Sequence, residues 1–230
     1  MFYLDLFRAL QEERVDYVVV GGLAINLHGV ERATMDVDLV MAMDEGNLRR
    51  FLKAATRLEL KPSLPVPLEA LCDAKQLDTW AREKHLIAFS LQSGSPTTPT
   101  VDIIVRPSVP FDRMYRNRIE KDLGEVRLSL ASIEDLIAFK PAPGASRTPP
   151  TSKRSRLPAG WRAKETNVAK IDFEYETTEE RVRAYLQVPE IDRLRWLEEL
   201  CAFTSMVRQA PTTYSHGHTP PARDKFGSEP

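Results

Sequence analysis

The chain has 230 residues, with 32 Lys+Arg against 33 Asp+Glu and a net charge of -1. That length favours one domain, or one domain with a small appendage, and the charge balance excludes a strongly basic nucleic-acid coat while leaving room for a local basic patch. Two distant cysteines, Cys72 and Cys201, make no disulfide framework and suit a reducing cytoplasm; the N-terminal stretch, broken by charges, reads as neither signal peptide nor membrane span.

In chain order, Phe2–Glu13 carries apolar residues at helical spacing. Tyr17–Val20 is a short apolar run that ends on Gly21-Gly22, as a buried strand entering a turn does. Leu23–His28 reads as a helix closed by Gly29. Asp36–Met41 alternates acid and apolar residues and reads as a second strand. Asp44 is placed to cap a helix over Glu45–Leu58. Leu86–Gln92 and Thr100–Val105 read as further strands, and Arg118–Lys121 with Glu125–Leu130 as a hairpin. Ser132 followed by Asp135 opens a capped helix, SIEDLIAFK.

Residues 1–140 therefore form the folded unit. Residues 141–164 hold five prolines, six basic residues and no acid, so 141–170 reads as a Pro/basic linker without a packed structure. Residues 171–207 return to helical, charge-mixed sequence, and 208–230 read as a disordered tail.

Three pieces of this framework carry chemistry. Glycines at a strand end permit close backbone approach, and free N–H groups there can hold phosphate oxygens; a plain strand-to-helix turn is the alternative. Asp36 and Asp38, two apart on a strand, point to one face and repel unless a proton or cation lies between them. Water-facing acids on an exposed strand are the competing reading. Asp102, alone in the apolar run Val101–Val105, is costly to bury without a partner, which a shared metal would supply. An edge-strand position, or pairing with Arg106, would satisfy it equally. Arg32 and Thr34, just before the second strand, could clamp a phosphate and donate a hydrogen bond, or be ordinary loop residues. His28 reads as packed, and Trp196 as a core or interface aromatic.

Taken together, the apolar run, Gly21-Gly22, thirteen intervening residues, Asp-Val-Asp-Leu and the later Val-Asp-Ile resemble the nucleotidyltransferase superfamily that includes DNA polymerase β. More narrowly, VVVGGLAINLHGVERATMDVDLVM and SIEDLIAFK look like the AbiEii- and MenA-type enzymes, often the toxins of toxin–antitoxin pairs. The resemblance implies an α+β nucleotidyltransferase fold, a short mixed β-sheet flanked by helices, here with a small C-terminal helical appendage. It also implies two Mg²⁺ ions at Asp36, Asp38 and Asp102, and a nucleotide-binding site at Gly21, Gly22, Arg32, Thr34 and Lys140. The expected reaction moves a nucleotide from an NTP to an RNA 3′ end such as that of tRNA, or to a protein or small-molecule hydroxyl, in the cytoplasm, with no membrane and with an antitoxin as a partner. The alternative is a binding protein that keeps the fold without turnover. The resembling proteins continue past the lysine with a basic-Asp-x-x-Asp stretch; this chain has no acid between Asp135 and Glu165. A local shift of reading frame is one account of that difference.

Overall fold

The apolar runs found in the sequence meet in one seven-stranded mixed sheet. The structure is a computed structural model and describes residues 1–95, 97–139 and 178–209; Lys140, the Pro/basic linker and the tail beyond residue 209 lie outside the described residues. Helix α1 (Phe2–Glu12) leads into strand β1 (Tyr17–Val20), whose four residues are all buried, and β1 passes without a spacer into α2 (Gly21–Leu27). Strand β2 (Asp36–Met41) is followed by α3 (Glu45–Arg57), where the Asp44 carboxylate accepts the Asn47 N–H at 2.9 Å. That bond satisfies one of the helix's orphan donors.

The middle of the chain holds the short strand β3 (Lys61–Pro62), a 3₁₀ turn at Leu68–Cys72 and α4 (Ala74–Glu83). Strands β4 (Ala88–Gln92) and β5 (Thr100–Ile104) follow, then α5 (Phe111–Arg116), the hairpin β6 (Ile119–Asp122) and β7 (Arg127–Leu130), and α6 (Ile133–Phe139). The strand order is β3-β4-β5-β2-β1-β7-β6. β2 runs parallel to β5 and antiparallel to β1, so the Asp-Val-Asp strand is central and not an edge. Alternation does the sorting. Val37, Leu39, Phe89, Leu91, Val101 and Ile103 are at most 1% exposed, whereas Asp36, Asp38, Ser90, Thr100 and Asp102, one residue out of phase, share the other face and keep access to solvent.

The C-terminal helices α7 (Glu179–Leu186) and α8 (Glu190–Gln209) pack into this core, with Leu194 and Leu197 fully buried in it. Their junction with α2 rests on a buried charge. Arg193, 1% exposed, donates from Nε to the Val188 carbonyl at 2.9 Å and from Nη1 to the Asn26 and Leu27 carbonyls, each at 3.4 Å. The last carbonyls of a helix have no partner within it and carry partial negative charge, so a guanidinium is a suitable cap. Gly29, just past α2, adopts φ +98°, and a Cβ there would lie 2.5 Å from a Leu186 methyl carbon. Helix α7 thus seats directly on the glycine that ends α2. Replacing Arg193 by Met keeps the stem and removes this donor from the Val188 and Leu27 carbonyls, while the Asn26 carbonyl keeps the Gly29 N–H at 2.9 Å. Urea unfolding should find Arg193→Met less stable by about 1–3 kcal/mol; an unchanged stability would show that the junction does not depend on this cap.

Candidate functional site

One end of the sheet gathers the polar residues of the sequence motifs. β2 and β5 begin there and β1 ends there. Asp38 lies beside Asp102 in the parallel register, Asp36 beside Thr100, and Val20, the last residue of β1, opposite Asp38. Paired positions of neighbouring strands project to one face, so Asp36, Asp38 and Asp102 share it. Asp102 is not an edge-strand residue, and it is not the partner of Arg106, which instead pairs with Asp78.

The glycines shape the floor of this site. Gly21 holds φ +67°, and a Cβ built there would collide with the Asp38 carboxylate. A Cβ at Gly22 would sit 2.6 Å from Thr34 Oγ1. The backbone where β1 becomes α2 is therefore pressed against one acid and against the loop that leads to the other, a spacing only glycine allows. Thr34 lies on that loop, its Oγ1 3.5 Å from the Asp36 carbonyl. Arg32 is exposed two residues earlier; its carbonyl is held at 3.0 Å by Asn26 Nδ2, and the residue lines a cavity between α2 and the C-terminal helices.

The three acids are not equivalent. Asp36, at the strand start, is exposed and its Oδ1 accepts the Thr100 hydroxyl at 3.1 Å. Asp102 Oδ1 is buried with no hydrogen-bond partner. Burial, then the charge of Asp36, pushes the Asp102 carboxyl above the ordinary carboxylate range, and the Ser90 hydroxyl pulls the other way. Among the described residues no group of three or more His, Cys, Asp or Glu side chains is spaced to hold a metal ion as it stands. The chemistry of the donors is nonetheless that of a hard divalent ion's ligands. They are carboxylate oxygens on one face, and the orphaned Asp102 oxygen lacks the partner a cation would provide. Ser90 and Thr100, which support the acids, were not singled out by the sequence reading; the alternation Phe89-Ser90-Leu91 and Thr100-Val101-Asp102 is the signal that marks them.

The raised proton affinity of Asp102 has a consequence for stability. The folded chain binds this proton more tightly than the unfolded chain, so the stabilisation is complete below the ordinary Asp value, about 4, and is lost as pH rises through the higher folded value. Asp102→Asn should remove that component. Denaturant titrations of both metal-free proteins across this interval should show a shallower fall for Asp102→Asn, and parallel curves would count against a perturbed Asp102.

His28 is half-buried, with Nε2 2.8 Å from the Ala131 carbonyl, and lines the cavity that Arg32 also borders. No described helix is long and apolar enough to cross a membrane. Comparison with the curated proteins gives no match. A family model described as a nucleotidyltransferase of unknown function (DUF6036) matches residues 4–147, which hold both glycines, all three aspartates and the supporting Ser90 and Thr100. That match spans more than half of the 230 residues, and the chain belongs to this nucleotidyltransferase family.

Proposed function

We propose that the protein is a Mg²⁺-dependent nucleotidyltransferase that moves a nucleoside monophosphate from an NTP to a hydroxyl of RNA, protein or a small molecule. The observation that carries this reading is the pairing of Asp38 with Asp102 in register, with Gly21 pressed against the Asp38 carboxylate. Asp36, Asp38 and Asp102 would hold the metal. When bound, Mg²⁺ supplies neutralisation of the triphosphate and of the charge that builds during in-line displacement.

The chain's own residues do the positioning. Gly21 and Gly22 keep side chains out of the space above Asp38, so a triphosphate can approach the backbone. Thr34, against Gly22, would donate a hydrogen bond to a phosphate oxygen and Arg32 would balance its charge; the family resemblance adds Lys140, which lies outside the described residues. Asp102, beside Asp38 in register, would take the proton of the acceptor hydroxyl. In the reaction the acceptor oxygen forms a bond to the α-phosphorus, the bond to the bridging oxygen breaks, pyrophosphate leaves and the acceptor proton passes to Asp102.

The test is incubation of the full chain with Mg²⁺ and each α-labelled NTP in the presence of total tRNA or cell lysate. One macromolecular fraction should become labelled, with release of an equal amount of pyrophosphate. A protein that binds Mg²⁺-NTP yet labels nothing would instead be a binding protein that keeps the fold.

A further inference from the structure

A cavity of about 1010 Å³ opens between the second half of α2, the loop before β2, and helices α6, α7 and α8. Its walls are mostly apolar. Ile25, Val182 and three large side chains left partly in water line it: Ile133 at 51% exposure, Ile137 at 67% and Trp196 at 42%. Such a cavity is at the upper end of the size range of small-molecule sites, and isolated surface apolars rarely line one concavity together.

The walls are fixed in place. Asn26, fully buried, donates from Nδ2 to the Arg32 carbonyl at 3.0 Å and to the Tyr185 hydroxyl at 2.9 Å, joining α2, the loop and α7. The Arg193 guanidinium lies 4.9 Å from the centre of the Tyr185 ring on the same seam. Helices α7 and α8, which complete the cavity, lie beyond the residues matched by the family model.

Two elements lead from the cavity to the acids. The loop that lines it continues through Thr34 to Asp36. Helix α8, which contributes Trp196, carries Cys201 five residues later, and the charge of Asp36 is among the causes, after burial, that push the Cys201 thiol up to about 11. Arg32 stands at the junction as a cation, while the acid beside it, Glu31, is paired with Arg181 at 2.8 Å. An apolar slot with an aromatic wall, and with Arg32 on the loop that continues to Asp36, matches a molecule that has a flat ring to stack at one end and is polyanionic at the other.

We propose that this cavity holds the nucleobase and ribose of the NTP whose triphosphate lies at Gly21, Gly22 and the aspartates. This rests on the functional reading above and adds the base site to it. The C-terminal helices then supply nucleotide affinity that the family-matched region alone lacks.

The experiment measures Mg²⁺-dependent binding of two probes to the full chain by calorimetry: an α,β-non-hydrolysable NTP analogue and inorganic tripolyphosphate. Trp196→Ala and Ile137→Glu alter exposed parts of the wall, and their thermal midpoints are recorded beside wild type. Both variants should weaken the NTP analogue roughly tenfold to a hundredfold, the usual range for loss of base stacking, and leave tripolyphosphate binding unchanged. Equal weakening of both probes, or of neither, in folded variants would overturn the base site while leaving the carboxylate site standing. So would a wild-type dimer that Ile137→Glu dissociates without loss of NTP affinity, since the cavity would then be a contact between two copies. Failure of wild type to bind either probe with Mg²⁺ would overturn the functional reading itself.

Discussion

Asp38→Asn should reduce nucleotide transfer by about a thousandfold while leaving the fold intact. Asp38 is the acid at the centre of the site, beside Asp102 in β5 and against Gly21 at the end of β1. An amide keeps the side chain's shape and its fit beneath the glycine, but it lacks the charge that a hard divalent cation requires. Metal neutralisation of a reacting phosphate is worth several kcal/mol, and each 1.36 kcal/mol is a decade in rate. The mutant should also lose one like-charge neighbour of Asp102, so the metal-free protein should be no less stable than wild type. Transfer assays under single-turnover conditions, run beside thermal unfolding, measure both. A folded Asp38→Asn protein that transfers at the wild-type rate would remove Asp38 from the site.

Gly21→Ala should cost almost as much activity by a different route, and here the fold suffers too. The added Cβ meets the Asp38 carboxylate, and the backbone at φ +67° disfavours any residue with a Cβ. Strain of this kind costs about 1–3 kcal/mol, and relieving the clash turns the Asp38 carboxylate away from Asp102. Gly22→Ala is the informative partner. There the obstruction is the Thr34 hydroxyl at 2.6 Å and the Thr34 Cβ at 2.8 Å. Gly22→Ala combined with Thr34→Gly, which removes both atoms, should therefore recover stability that no substitution at Asp38 restores to Gly21→Ala without losing the acid. Unfolding free energies and transfer rates for the set distinguish the two mechanisms. Equal tolerance of alanine at both glycines would mean that close backbone approach at Gly21 has no role.

The elements that position the site were readable because local signals agreed. The run Tyr17–Val20 ending on two glycines, the acid–apolar alternation of Asp36–Met41 and the Asp44 cap each determine one element without help from distant residues. The hairpin of β6 and β7 followed from a turn centred on Asp122-Leu123-Gly124. What local pattern could not supply was the pairing. Asp38 and Asp102 are 64 positions apart, and only tertiary packing sets β5 parallel to β2 in the register that brings them together. Periodicity alone left Asp102 free to be an edge residue or a partner of Arg106. The 3₁₀ turn and α4 lie in a stretch whose mixed composition lacks one apolar period, and the sequence reading placed no element there.

The C-terminal helices were harder still. The stretch reads as charged and amphipathic, which suggests an appendage at the surface. Yet α8 buries Leu194 and Leu197 on one side and presents Trp196 and Phe203 to solvent on another, so no single stripe marks the inward face. The residue that seats it, Arg193, is a charge in the core, satisfied by carbonyls at the end of α2 and at the α7–α8 turn. No sequence pattern announces that contact. Lys140 and the acid-free run that follows it, where the sequence departs from the resembling proteins, lie outside the described residues.

The central claim is that Asp36, Asp38 and Asp102 together hold a divalent cation on which an NTP's triphosphate is seated. It is tested most directly by Mn²⁺ titration followed by electron paramagnetic resonance, with and without a non-hydrolysable NTP. Wild type should bind Mn²⁺ far more tightly when nucleotide is present, because the phosphates complete the ligand set. Asp36→Asn, Asp38→Asn and Asp102→Asn should each lose that nucleotide-dependent binding while remaining folded. Mn²⁺ binding that is indifferent to nucleotide, or unchanged in all three mutants, would contradict the account.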